Sequence, residues 1–210
     1  MQRLITLMLV LNININFSQE IVPDNYTFEN GVINNRTYTC NKFDWKISFP
    51  EGTTVTTLNR VDELNSKGYE AVKKETPSGI QIQKSQSHLI GFSFSKYNYL
   101  LASFESLKGT KQMTFEEHQK FISKLLEDTY SKMEPLKMTQ SVSYEKLGVY
   151  NFYIIKGEVF DKRNDKLLLT QLLYNAFIDD NLFSVSINYT DENYGQILIN
   201  NFKESLSKKK

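Results

Sequence analysis

Only two histidines, His88 and His118, and one cysteine, Cys40, stand among the 210 residues, so nucleophilic, acid–base and metal chemistry have few side chains to draw on. A Ser or Cys nucleophile needs a neighbouring base, normally His, to take its proton. No Gly-x-Ser-x-Gly elbow is present to present such a serine. A catalytic metal recruits several His or Cys ligands, and neither histidine sits in a His-Glu-x-x-His arrangement or beside a cysteine. Glu116, Glu117 and His118 are adjacent, but successive residues of a helix point in different directions and do not converge on one ion. The nine glycines are scattered, so neither a P-loop nor a dinucleotide fingerprint exists to cradle phosphate. Asp161 to Asp165 and Asp179-Asp180-Asn181 carry calcium-type oxygens without the spacing of an EF-hand loop, and they read as hairpin turns. No catalytic residue, metal or cofactor follows from these patterns.

Five residues remain as candidates for a pocket or partner surface: Tyr97, Tyr99, Tyr150, Tyr153 and His118. Tyrosine offers a broad apolar ring with a hydroxyl at its tip, which suits either a binding surface or the packing of a sheet. His118 falls on the apolar stripe of a helix, where a hydrogen-bonded core histidine is the plainer reading. The catalytic alternative is a hydrolase built from carboxylates that meet in space, and it requires His118 to open into a cleft beside an acidic residue.

Charge excludes other classes. Lys and Arg number 25 against 24 Asp and Glu, so no overall field favours nucleic acid or an anionic membrane. The N-terminus has the layout of a signal peptide over residues 1–18: Arg3 supplies a positive start, Leu4 to Leu11 an apolar run broken only by Thr6, and Asn12 to Ser18 a polar end. The run is shorter than the roughly 20 residues that span a bilayer. Cleavage is expected between Ser18 and Gln19, a junction that resembles Bacteroidetes-type secretory leaders, and no cysteine follows the apolar run to accept a lipid. An exported protein of the periplasm or beyond is therefore expected. The lone Cys40 forbids an intrachain disulfide, so the fold must be held by its core.

Behind the leader, residues 19–35 are rich in turn formers and read as a loose arm, and residues 36–207 read as one domain. Trp45, Ile47 and Phe49 alternate with polar neighbours in a strand that Pro50 ends. A helix is expected over residues 59–75, and a strand pair over 80–94 and 97–107. Thr114-Phe115-Glu116-Glu117 is a capping box that opens a second helix, which Pro135 closes. Four strands follow, at 137–146, 149–160, 166–178 and 182–189, then a third helix capped by Thr190. Phe152 to Ile155, Leu167 to Leu169 and Leu172-Leu173 are unbroken apolar runs, which places both faces of two strands in a core. Phe183, Val185, Ile187 and Tyr189 alternate with Ser184, Ser186 and Asn188, as for a strand with one wet face. The class predicted is α+β: an α/β/α sandwich with a mostly antiparallel sheet of six or seven strands and helices on both faces.

This order of elements, from Trp45-Lys46-Ile47-Ser48-Phe49-Pro50 through the capped helix to the closing helix, resembles the PsbP and Mog sandwich group over most of residues 36–207. The resemblance implies an accessory or binding role, as in photosystem assembly or the binding of a small GTPase, and carries no functional residue across. The function expected is an exported, non-catalytic accessory or binding protein of the bacterial envelope, whose partner is another envelope protein or a small ligand. A structural subunit of an envelope or secretion complex is the other non-enzymatic alternative. Intact-mass measurement of the natively expressed protein checks the leader: the expected N-terminus is Gln19, and retention of Met1 or Gln2 contradicts export by cleavage.

Overall fold

The computed structural model describes residues 2–4, 25–28, 30–56, 80–82, 86–108 and 114–207. Its strands are β1 (Gln2–Leu4), β2 (Asn25–Phe28), β3 (Gly31–Asn34), β4 (Thr37–Cys40), β5 (Lys46–Ser48), β6 (Thr54–Val55), β7 (Ile80–Ile82), β8 (Gln86–Ser95), β9 (Asn98–Ser106), β10 (Leu136–Leu147), β11 (Tyr150–Asp161), β12 (Lys166–Ile178) and β13 (Asn181–Tyr189). Two helices are described, α1 (Phe115–Ser131) and α2 (Glu192–Ser207). The helix expected over 59–75 lies outside the described residues, as do most of the leader and its cleavage junction.

The consecutive apolar residues of β11 set the architecture. Successive side chains of a strand point to opposite faces, so Phe152 and Ile154 enter one core while Tyr153 and Ile155 enter another. Both faces therefore need a cover. The strands join in a seven-stranded sheet of order β10-β11-β12-β13-β9-β8-β6, in which every neighbouring pair is antiparallel. Helix α1 covers one face with Ile122, Leu126 and Tyr130, packed on Tyr153, Ile155, Val159 and Leu173. Helix α2 covers the other with Leu198, Phe202 and Leu206, packed among Phe152, Tyr174 and Phe183. The predicted α+β sandwich with helices on both faces is present.

A second sheet, β2-β3-β4-β5, joins α2 on that second face and brings Ile33, Tyr38, Trp45 and Ile47 into the larger core. Part of the expected loose arm is thus ordered: Asn25–Phe28 and Gly31–Asn34 form a hairpin around Asn30-Gly31, with Ile33 buried and Val32 exposed. The turn residues of that stretch close a hairpin. Strand β1 pairs in parallel with β7 as a two-stranded ribbon.

Both described helices start as capped helices do. Thr114 Oγ1 accepts from the Glu117 amide and Glu117 Oε2 from the Thr114 amide, so the predicted capping box closes in both directions. For α2 the cap is one residue later than expected. Asp191 Oδ1 accepts from the amides of Asn193 and Tyr194, and its charge also favours the helix start. Thr190 is held instead by Asn98, whose Oδ1 accepts from the Thr190 and Asp191 amides.

Two expectations about exposure need correction. Leu167 and Leu168 are 47% and 37% exposed, at the turn end of β12 where its register with β11 shifts between Val159 and Phe160. The expected wet face of β13 is largely closed: Ser184 is half-buried, Ser186 and Asn188 are buried, and Asn188 Nδ2 donates to Ser186 Oγ. Phe202 is fully buried at the meeting of Phe152, Tyr174 and Phe183. Phe202→Ala is expected to cost about 3–5 kcal/mol, read from the urea midpoint of the purified protein.

Candidate functional site

Two places gather polar chemistry, one inside the sheet and one on the surface. The first is a row of polar side chains on the α1 face of the large sheet. Register places Tyr153 opposite Asn175, Asn175 opposite Ser184, Ser184 opposite Ser103, and Ser103 opposite His88. At about 4.8 Å per strand, these five residues run straight across β11, β12, β13, β9 and β8. Ser184 Oγ donates to Asn175 Oδ1 at 2.7 Å. At the β11 end the Tyr153 hydroxyl bonds His118 Nδ1, reaching across from α1.

This row is sealed. His118 and Tyr153 are fully buried, and the His118 ring meets Phe177 edge-on while Phe115 meets both Tyr153 and Phe177. Burial pushes the His118 ring down to about 4 and the His88 ring down to about 3, so both are neutral at pH 7. Burial also pushes the Tyr153 hydroxyl upward, with the nearby Tyr144 adding to the effect. His118 thus does not open into a cleft, and the hydrolase reading loses the geometry it requires. Neither ring nitrogen of His88 has a hydrogen-bond partner among the described residues.

The second place is a groove of about 490 Å³ between β4, β5, the β10–β11 turn and the last turns of α2. Its polar wall is Thr37, Asp44, Lys46, Ser48, Asn201, Glu204 and Ser205, and its apolar end is Val149, Tyr150 and Leu206. Strand alternation explains the wall: Ile47 is buried in the core, so Lys46 and Ser48 turn outward. Two bonds lock the walls together, Trp45 Nε1 to Ser205 Oγ at 2.9 Å and Asn201 Nδ2 to the Ser48 carbonyl at 2.8 Å. Asn201 Oδ1 is left without a partner, and Lys46 and Glu204 have no ion-pair partner, among the described residues. At the turn, Gly148 adopts φ +60° against the Leu206 carbonyl, a place where a side chain would collide with the end of α2.

The candidate residues from the sequence scatter over these places. Tyr153 and His118 meet in the sealed row. Tyr99 is buried on the same face, opposite Asn188. Tyr150 lines the groove, edge-on to Phe43. Tyr97 is exposed in the β8–β9 turn, with Lys96 Nζ 5.0 Å from its ring centre. Sequence reading overlooked the groove and the burial of His88. The one available signal was the outward phase of Lys46 and Ser48 beside buried Ile47; the other walls come from segments more than 100 residues away. The acidic turn at Asp161 is occupied by its own chain: Arg163 forks onto the Asp161 carboxylate and holds it down at about 2. Among the described residues no cluster of His, Cys, Asp or Glu could hold a metal ion.

The two histidines tie stability to pH. Each binds a proton near pH 6.5 when unfolded but only at about 3 or 4 when folded, so the unfolded chain takes up more protons in acid. The contribution of the two histidines is complete above about pH 6.5 and falls progressively as pH drops toward 3. At about 1.4 kcal/mol for each tenfold loss of proton affinity, the total is several kcal/mol. His88→Leu removes one ring whose nitrogens make no hydrogen bond among the described residues. The urea midpoint of this variant is expected to fall distinctly less between pH 7 and pH 4.5 than that of the wild type; an unchanged fall contradicts the buried neutral state.

No protein family matches the chain, and no curated protein does. Among solved structures the chain is similar to the solution structure of cyanobacterial PsbP from Synechocystis sp. PCC 6803, with 10% identity, a TM-score of 0.49, and coverage of 81% of this chain and 88% of that one.

Proposed function

We propose that the protein is an exported accessory or binding protein of the bacterial envelope that carries out no chemistry of its own, and that its binding site is the groove between β5 and α2. The observation that carries this reading is the groove itself. It is built on a strand and a helix that are cross-linked by Trp45–Ser205 and Asn201–Ser48, so its shape is set before anything binds.

Its lining states what fits. Lys46 offers a cation, Glu204 offers a carboxylate, and hydroxyls and an amide lie between them. Val149, Tyr150 and Leu206 offer an apolar end. A partner loop or small molecule that carries both charges, several hydrogen-bonding groups and one apolar tip satisfies all of these. The sealed histidines support the non-catalytic half of the reading, since neither ring is placed to exchange protons with a bound substrate. No described helix is long and apolar enough to cross a membrane.

Affinity capture of the tagged full chain from envelope fractions tests the proposal, with wild type compared against Lys46→Glu and Glu204→Lys. Both side chains lie on the surface, where such changes leave stability within about 0.5 kcal/mol. One stoichiometric companion, protein or small molecule, is expected on the wild type, reduced at least about tenfold on both variants, the effect of losing roughly 1.4 kcal/mol. Equal recovery on all three proteins, or wild type recovered alone, contradicts it.

A further inference from the structure

Among the described residues the large sheet ends in a strand that has no neighbour on its outer side. Strand β10 is the terminal strand of the order, twelve residues long, and paired with β11 in unbroken register from Leu136 to Leu147. Strands average five or six residues, and edges are usually kept short or bulged to prevent further pairing. Here residues 139–144 are all exposed, Tyr144 by 60% and Val142 by 38%. A row of backbone donors and acceptors is therefore offered to solvent along a regular edge.

We propose that this edge pairs with the same edge of a second copy of the chain, antiparallel about Ser141, to make one continuous fourteen-stranded sheet. A two-fold axis through such a seam must keep each face of the sheet on its own side, so the axis has to pass through a residue position. With Ser141 at the axis, Lys137 of each copy stands opposite Glu145 of the other. Within its own chain Lys137 already pairs with Asp165, and Lys203 with Glu145 at 2.7 Å. Each end of the seam then becomes an alternating line of four charges, Asp165, Lys137, Glu145 and Lys203, the last two from the other copy. On the opposite face Met138 lies against Tyr144, which covers the most exposed aromatic ring of the strand. Moving the axis to Val142 sets Lys137 against Leu147, and moving it to Gln140 sets Lys137 against Ser143; both forgo the charge pairs. The charges thus select one register.

Variants that add one cysteine read that register directly, since the native Cys40 is buried. In Ser141→Cys the two sulfurs face each other at disulfide distance. In Thr139→Cys each sits opposite Ser143 of the other copy, about 13 Å along the strand from its twin and beyond reach. With oxidised glutathione, Ser141→Cys is expected to form a covalent dimer at least tenfold faster than Thr139→Cys. Wild-type protein is expected to show a concentration-dependent dimer in sedimentation velocity. A monomeric wild type, including one whose β10 edge takes up a strand from a different protein, overturns the proposal. Equal cross-linking of the two variants overturns the register.

Discussion

Burial on both faces of the central strands is the constraint from which the rest of the structure follows. A strand that turns Phe152 and Ile154 one way and Tyr153 and Ile155 the other cannot stand at a solvated surface. It demands two covers. Helix α1 supplies one; α2 and the four-stranded sheet share the other. The division of labour on the second face then creates the groove, because a helix and a strand edge that meet side by side over a sheet leave a cleft between them. Trp45 fastens this seam: its ring packs on Phe183 and its indole nitrogen donates to Ser205 of α2.

The α1 face carries an unusual load for a sheet interior. Asn175, Ser186, Asn188, Ser103 and His88 are all buried there beside Leu101 and Leu173. Buried polar groups are stabilising only when bonded to each other, and most of this row is, through Ser184–Asn175, Asn188–Ser186 and Tyr153–His118. The cost appears where partners run out among the described residues, at both ring nitrogens of His88, at His118 Nε2 and at Asn188 Oδ1. The same enclosure that makes these groups costly removes them from chemistry, since a proton acceptor sealed among Phe115, Phe177 and Tyr153 meets no substrate.

How much of this was legible in the sequence depended on how local the cause was. The capping box at Thr114 and the hairpin turns at Asp161 and Asp179 are decided within four or five residues, and the structure has them where the pattern put them. The double-sided burial of β11 was legible because four consecutive large apolar residues admit few alternatives. The reading of β13 went astray because Ser184, Ser186 and Asn188 look the same whether they face water or each other; only the partner strands decide, and Asn175 is nine residues away across a turn. The cap of α2 shifted because Thr190 and Asp191 are both good caps and Asn98, 92 residues earlier, takes the first. The groove was the least legible feature. Its walls meet only after two sheets and a helix have packed, and its residues follow no motif.

A binding role at the surface groove requires that the two histidines be structural, sealed and neutral. Ring resonances of His88 and His118, followed by NMR across pH 7.5 to 5 in the folded protein, measure this without perturbing it. Neither resonance is expected to titrate in that range. Titration of either ring near its ordinary value of about 6.5 would mean that it meets solvent, and would contradict both the closed sheet face and the non-catalytic reading built on it.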